Sequence, residues 1–231
     1  MVERGEISDR ISGNVLNIDP GLPLGDQTYL LEDRFAASVS AGLSTLVTSV
    51  VDSTASRAWP TAADVRLVTR WEKLLAKIRS STVMHLHVVE GQVTGPALDL
   101  FMAADVRIAS PSAEIFLPMN DGNVWPGIGI HHLAREVGGH AASRAVLWQA
   151  SLSLSSGDLS SLVDFVSESP WEMAAQVSAN LSVLDAAELQ LRRNLLADAQ
   201  QMTFSQAVGV HLASCERELR RMRASEEVPA K

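Results

Sequence analysis

"EGQVTGPALDLFMAAD", residues 90–105, is the stretch on which the fold turns. A β-branched run, "TVMHLHVVEG" (82–91), leads into it. Gly91 and Gly95 then break the chain, and from Pro96 apolar residues follow at helical density to Ala104. Proline is suited to the first position of a helix, so the segment reads as strand, turn and helix start. One carboxylate, Asp99, sits among the apolar residues of that helix. A strand-to-helix turn exposes backbone N–H groups where the helix dipole favours negative charge, so an acid buried there points to chemistry or to capping.

The same unit recurs on either side. Upstream, "TLVTSVVD" (45–52) reads as a buried strand, followed by the loop "STASRAWPTAAD" (53–64). Residues 62–80 carry Val65, Val68, Leu74, Leu75 and Ile78 at helical spacing, with Arg66, Arg70, Lys73, Lys77 and Arg79 among them. Still earlier come a strand over 11–18 and a helix over 27–44. Downstream, "DVRIAS" (105–110) and "AEIFLP" (113–118) read as strands, "MNDGNVWPG" (119–127) as a loop, and helices follow to Gln149. Strands alternating with helices imply an α/β fold with a parallel sheet and right-handed crossovers. Ligands in such sheets sit beyond the strand carboxyl ends, here the loops opening at Asp52 and Gly91. From Pro170 the pattern becomes helical throughout, which divides the chain into a core over 1–168 and a helical region over 169–231.

Bulk properties exclude several classes. The 231 residues suffice for one good-sized core. The net charge of −8 and the scattered basic residues leave no footprint for nucleic acid and no polybasic membrane patch. Cys215 is the only cysteine, so no intramolecular disulfide forms, and no Cys/His spacing suggests zinc. The charged start, "MVERGEISDR", is not a signal peptide and no apolar run approaches a membrane span, so a cytoplasmic location is expected.

The two loops make a pair. In "AWPTAADV" (58–65), Ala62 and Ala63 allow close approach to the backbone, and Asp64 lies at a helix start. Two such turns at one sheet edge can aim two N–H groups at one carbonyl oxygen, an oxyanion hole suited to a thioester.

These residues resemble the crotonase, or enoyl-CoA hydratase/isomerase, superfamily. "WPTAADV" (59–65) is similar to its F-x-A-G-A-D-L turn. "VVEGQVTGPALDLFMAADVRIAS" (88–110) is similar to its V-N-G-x-A-x-G-G-G-x-E-L-A segment, and "AEIFLPMNDGNVWPGIG" (113–129) to its A-x-F-x-x-P-E-x-x-x-G-x-x-P-G-x-G segment. "LAREVGGHAASRAVL" (133–147) and "SLVDFV" (161–166) extend the match, which covers roughly residues 45–166. "TRWEKLLAKI" (69–78), the Asp of G-P-A-L-D and "VWPGIGIHHLAR" (124–135) look closest to a short branch, the enoyl-CoA hydratase-like proteins of dihydroxyphenylglycine biosynthesis. The resemblance implies the crotonase (ClpP-like) fold of repeated ββα units with a C-terminal helical oligomerisation region. It further implies an acyl-CoA substrate, with coenzyme A as part of the substrate and no separate cofactor or metal, and trimers or hexamers.

Carried over residue by residue, the resemblance puts the first oxyanion N–H on Ala63 and the second on Pro96, which has none. Gly95 or Ala97 then donates through a shifted turn, or the hole has one backbone donor; loss of a donor costs on the order of 100-fold in rate. The first catalytic carboxylate falls on Asp99, one methylene shorter than the family's Glu, and the second on Met119, which moves no protons. Asp121, Asn120 and Asn123 lie in the same loop, and Trp125 and Trp59 border the pocket. A single acid suits dehydration or isomerisation of an activated thioester, in the branch towards 3,5-dihydroxyphenylacetyl-CoA. The rival readings are a degenerate accessory or allosteric subunit of a partner such as a polyketide synthase, and a thioesterase on the same fold. His85 and His87, two apart on a strand, face one side and read as satisfied core residues rather than metal ligands. His131 and His132 read as solvated helix residues, Arg66 and Arg70 as a charged helix face, and Asp105 as structural.

Overall fold

A computed structural model describes residues 15–226, apart from 51–59, 61, 118, 121 and 156. In chain order the first elements are β1 (Val15–Ile18), α1 (Leu24–Ser40), β2 (Thr45–Val50), α2 (Val65–Arg79), β3 (Met84–Val89), β4 (Gln92–Val93) and α3 (Pro96–Ala103). Then follow β5 (Val106–Ala109), β6 (Glu114–Ile115), β7 (Met119–Asn120), β8 (Asn123–Val124) and α4 (Ile128–Val146). A short β9 (Leu152–Ser153), a 3-10 turn (Gly157–Leu162), β10 (Phe165–Val166) and the helices α5 (Pro170–Ser182), α6 (Ala186–Gln201) and α7 (Phe204–Glu226) complete the described chain.

The main sheet has the order β1-β2-β3-β5-β10, and every neighbouring pair is parallel. Each of β3 and β5 is followed by a short strand of a second sheet and then a helix, giving the ββα units β3-β4-α3 and β5-β6-α4. In that second sheet β4 and β6 run parallel, and β9 closes it antiparallel. The residues read from sequence as one loop, 119–127, contain the hairpin β7–β8, in which Met119 pairs with Val124.

Strand alternation sorts the core. Leu16, Ile18 and Leu46 face α1 and α2, where Phe35, Trp71, Leu74, Leu75 and Ile78 bury against them. Val47, Leu86, Val88 and Ile108 point to the opposite face, against Trp171 and Ala174 of α5. A third cluster, with Val93, Leu98, Phe101, Ile115, Leu117 and Leu133, fills the space between α3, α4 and the second sheet.

Three details depart from the sequence reading. α2 starts at Val65 because Asp64 is extended (φ −128°, ψ 168°) and its carboxylate accepts from Leu67 N–H at 2.8 Å, a regular N-cap. Val65 is consequently solvent-exposed at the first helical position, while Trp71 takes a place in the buried stripe. α4 is interrupted at Gly138, whose φ of 80° leaves the helical region. The chain divides after Ala186 into two compact units. α5, which the sequence places with the C-terminal helices, lies in the first of them and packs on the main sheet. The second unit holds α7 and nearly all of α6, with surface pairs Arg192–Glu188 and Arg220–Glu216 one helical turn apart. Among the described residues no helix is long and apolar enough to cross a membrane.

Candidate active site

The turn between β4 and α3 fixes the site. Gly95 is the N-cap of α3 at φ 54°, ψ −133°, a conformation that a Cβ would strain, and Pro96 occupies the first helical position. Asp99 follows on the same helix and is 3% exposed. Proline's missing N–H is no loss to the helix itself, since the first amides have no intrahelical acceptor. Of the alternatives to Pro96, Ala97 is already engaged, its N–H donating to Thr94 O at 3.1 Å, and Leu98 N–H donates to Gly95 O at 3.0 Å. Among the described residues no acceptor takes the N–H of Gly95.

Asp99 meets two donors from two other elements. Gly129 N–H, in the first turn of α4, donates to Oδ1 at 2.6 Å. Trp71 Nε1–H of α2 donates to Oδ2 at 3.3 Å. The indole of Trp125 stands close by and also favours the ionised carboxylate. The carboxyl is nevertheless pushed up to about 7. Burial is the largest cause, only partly offset by the hydrogen bonds from Gly129 and Trp71 and by the nearby Trp125 indole, while the nearby charge of Glu72 raises it further.

Glycine is required where α4 approaches the acid. A Cβ at Gly127 would lie 2.6 Å from Asp99 Oδ1 and 2.7 Å from Trp125 Nε1. At Gly129 it would lie 2.8 Å from the same oxygen. The P-G-x-G of residues 126–129 is therefore what lets a helix N-terminus reach the carboxylate. Gly95, Leu98, Leu117, Trp125 and Ile130 line a tightly closed crevice around Asp99, with no room in it for a water molecule. That apolar lining explains the desolvation, and it places one ionisable group at the crevice wall.

The other sequence candidates fall as follows. Ala63 is exposed, on the turn immediately before α2. Its neighbour Ala62 has φ 51°, a left-handed conformation unusual for alanine and standing where the related turn has glycine. α2 and α3 pack together through Leu74, Leu75, Leu100 and Ala103, so the two turns belong to adjacent helices. Met119 is half-buried in the β7–β8 hairpin that leads to Trp125 and is absent from the crevice wall. Asp121 and Trp59 lie outside the described residues. His132 Nε2 is 3.3 Å from Arg79, and its ring is stacked edge-on with His131. Among the described residues no group of three or more His, Cys, Asp or Glu is placed to hold a metal.

His85 and His87 are both fully buried, and Thr48 Oγ1 lies 2.7 Å from each. A hydroxyl has one proton, so it donates to one imidazole and accepts from the other. His87 is held well below the usual histidine range by burial, then by His85 and Arg107. The sequence reading of these residues as core histidines agrees with that bridge, but it satisfies only one nitrogen of His87, whose Nε2 is buried without a partner among the described residues.

Sequence reasoning missed Trp71 and Gly129 as partners of Asp99. Trp71 stood in the quoted "TRWEKLLAKI" and Gly129 in "WPGIG", but a tryptophan reads as packing and a glycine as a turn until the fold sets them beside a carboxylate.

No family model matches this sequence. A protein of Amycolatopsis orientalis named enoyl-CoA hydratase is 33% identical over 211 residues, spanning 90% of this chain and 96% of its own length. An enoyl-CoA hydratase/isomerase family protein of Silicibacter pomeroyi superposes with a TM-score of 0.75 at 18% identity, covering 90% of this chain and 95% of that one. The enoyl-CoA hydratase of Mycobacterium smegmatis gives 0.73 at 13% identity, over 89% and 87% of the two chains. The fold is thus that of the crotonases, and the chain belongs to the enoyl-CoA hydratase/isomerase superfamily.

Proposed function

We propose that the protein is an acyl-CoA lyase that removes water from a 3-hydroxyacyl thioester with Asp99 as its single general acid/base. The observation that carries this reading is the buried carboxyl held at about 7 in the crevice beside the Gly95 turn. A group with a pKa near the working pH can both take and return a proton, the property general acid/base catalysis needs. The Asp99 carboxylate takes the proton α to the thioester, and electron density moves onto the carbonyl oxygen. The resulting carboxylic acid gives that proton to the 3-hydroxyl, which leaves as water as the double bond forms. N–H groups at Ala63 and Gly95 polarise the carbonyl. Coenzyme A enters as part of the substrate, and the residues named need no further cofactor.

The finer assignment is dehydration with aromatisation towards 3,5-dihydroxyphenylacetyl-CoA in secondary metabolism. Aromatisation makes loss of water favourable, which suits a site with one acid and methionine at the second position. Exposed Phe204, Leu212, Leu219 and Met222 on α7 support a homotrimer or hexamer assembled through the C-terminal helices.

A second reading is favoured by Pro96, by Met119 and by the service Asp99 gives as acceptor for α4. In it the chain is an accessory subunit of a biosynthetic enzyme such as a polyketide synthase, and Asp99 is structural. Single-turnover dehydration of a 3-hydroxyacyl-CoA by wild type and Asp99→Asn separates the two. The lyase reading expects turnover that falls at least about 100-fold in the variant. Equal inactivity of both, together with acceleration of a partner synthase, supports the accessory reading. Release of free coenzyme A instead of enoyl product identifies a thioesterase.

A further inference from the structure

Thr94 precedes Gly95 directly, and its side chain is 4% exposed. Its Oγ1 has no hydrogen-bond partner among the described residues. Buried hydroxyls are almost always paired, because each gives up hydrogen bonds to water, so an orphan directly beside a residue of the crevice wall calls for a reason. Serine and threonine hydroxyls near a helix start usually cap a backbone N–H. Here that role is closed off on the helix side: Pro96 has no N–H, Ala97 N–H is taken by the carbonyl of Thr94 itself, and Leu98 N–H by Gly95 O.

Among the described residues two donors of this turn therefore remain uncommitted, the Thr94 hydroxyl and the Gly95 amide. They are four covalent bonds apart, which keeps Oγ1 and the amide nitrogen within about 5 Å of each other whatever the rotamer. Two donors at that separation can both reach one oxygen at ordinary hydrogen-bond length. Gly95 is part of the crevice wall shared with Asp99.

We propose that the Thr94 hydroxyl is a catalytic donor to the substrate's thioester carbonyl oxygen, acting beside Gly95 N–H where Pro96 removes a backbone donor. This rests on reading the crevice as an acyl-CoA site. The hydroxyl proton stays on Thr94 throughout; it stabilises the charge that accumulates on the carbonyl oxygen when Asp99 takes the α-proton. Because a hydroxyl rotates about one bond, it turns to the oxygen without moving the backbone.

The experiment uses cinnamoyl-CoA, whose absorption shifts to the red when its carbonyl is polarised, together with 3-hydroxyacyl-CoA turnover. The proteins are wild type, Thr94→Val, Thr94→Ala and Thr94→Ser. The expected result is a red shift on wild type and on Thr94→Ser, most of it lost on Thr94→Val and Thr94→Ala. kcat falls about 100-fold in the two hydroxyl-free variants with KM little changed. Thr94→Val is expected to melt no lower than wild type, since it removes a buried unpaired hydroxyl; a purely structural threonine would lower it. Pro96→Gly in the Thr94→Val background restores an N–H and is expected to recover part of the shift. A red shift and rate in Thr94→Val and Thr94→Ala equal to wild type overturn the assignment and leave the acyl-CoA reading standing. Binding to wild type with no shift overturns both.

Discussion

The amide of Gly129 donates to Asp99 Oδ1 across 30 residues of sequence, at 2.6 Å. The contact joins the first turn of α4 to the first turn of α3, and it gives the one acid of the crevice the role of an external cap for a helix. Chemistry and architecture meet in that single carboxylate, so its variants report on both.

Substitution on the glycine side should disturb both at once. A methyl group at Gly129 would stand 2.8 Å from Oδ1 and 3.1 Å from Asp99 N, with backbone on one side and the acid on the other. Overpacking of this kind costs about 1–3 kcal/mol. Gly129→Ala is expected to lower the denaturation midpoint accordingly and to reduce turnover more than substrate binding. A midpoint unchanged from wild type contradicts the packing described.

Asp99 also makes stability depend on pH with a definite sign. Its folded pKa of about 7 lies above the ordinary aspartate value of 3.8, so the folded state holds the proton more tightly than the unfolded chain. Stability from this group is full below about 4 and is lost as pH rises to about 7; the loss is on the order of 4 kcal/mol. Asp99→Asn removes the titration. The difference in unfolding free energy, variant minus wild type, should therefore rise between pH 4 and 7 and level off above. A flat difference contradicts the shift.

The histidine pair acts in the opposite sense. His87 is depressed in the folded state, so its contribution is present above the ordinary histidine pKa of about 6.5 and is lost as pH falls below it. Measured in the Asp99→Asn background, which silences the competing carboxyl, the denaturation midpoint should drop between pH 7.5 and 5.5. Thr48→Val leaves two buried ring nitrogens without the hydroxyl that bridges them and is expected to cost about 1–3 kcal/mol at neutral pH. A neutral effect shows that the bridge does not hold the rings.

Trp71→Phe keeps the ring in the core and deletes the N–H that reaches Asp99 Oδ2. That bond lowers the carboxyl pKa, so its loss should move the basic-side requirement for ionised Asp99 to higher pH. The check is the pH profile of kcat/KM, whose acid limb is expected to shift upward. A shift downward, or none with full activity, argues that the indole does not act on the carboxyl.

Much of the fold was legible because its signals are local. The alternation of β-branched runs with amphipathic helices gave the parallel sheet, and period-two spacing put His85 and His87 on one buried face. The acid at Asp99 and the proline at Pro96 were legible as the points of interest. What local pattern cannot supply is partners. Thr48 meets the histidines only through the register of β2 on β3, Gly129 meets Asp99 only after α4 folds back, and Trp71 looks like any core aromatic. The choice between Gly95 and Ala97 likewise turned on one hydrogen bond, Ala97 N–H to Thr94 O, which no spacing rule announces. Ala62 shows the converse: the related turn carries glycine there, and the alanine keeps a positive φ at a strain cost of about 1–3 kcal/mol.

Proton exchange at the carbon α to the thioester tests the central assignment most directly, because it needs Asp99 and a polarised carbonyl but no leaving group. A saturated acyl-CoA incubated with enzyme in deuterium oxide is read by mass spectrometry. Wild type is expected to incorporate deuterium at the α-carbon, with Asp99→Asn slower by at least about 100-fold while still folded and binding the thioester. Exchange at equal rates in the two proteins, or none in either, contradicts Asp99 as the proton-transfer group.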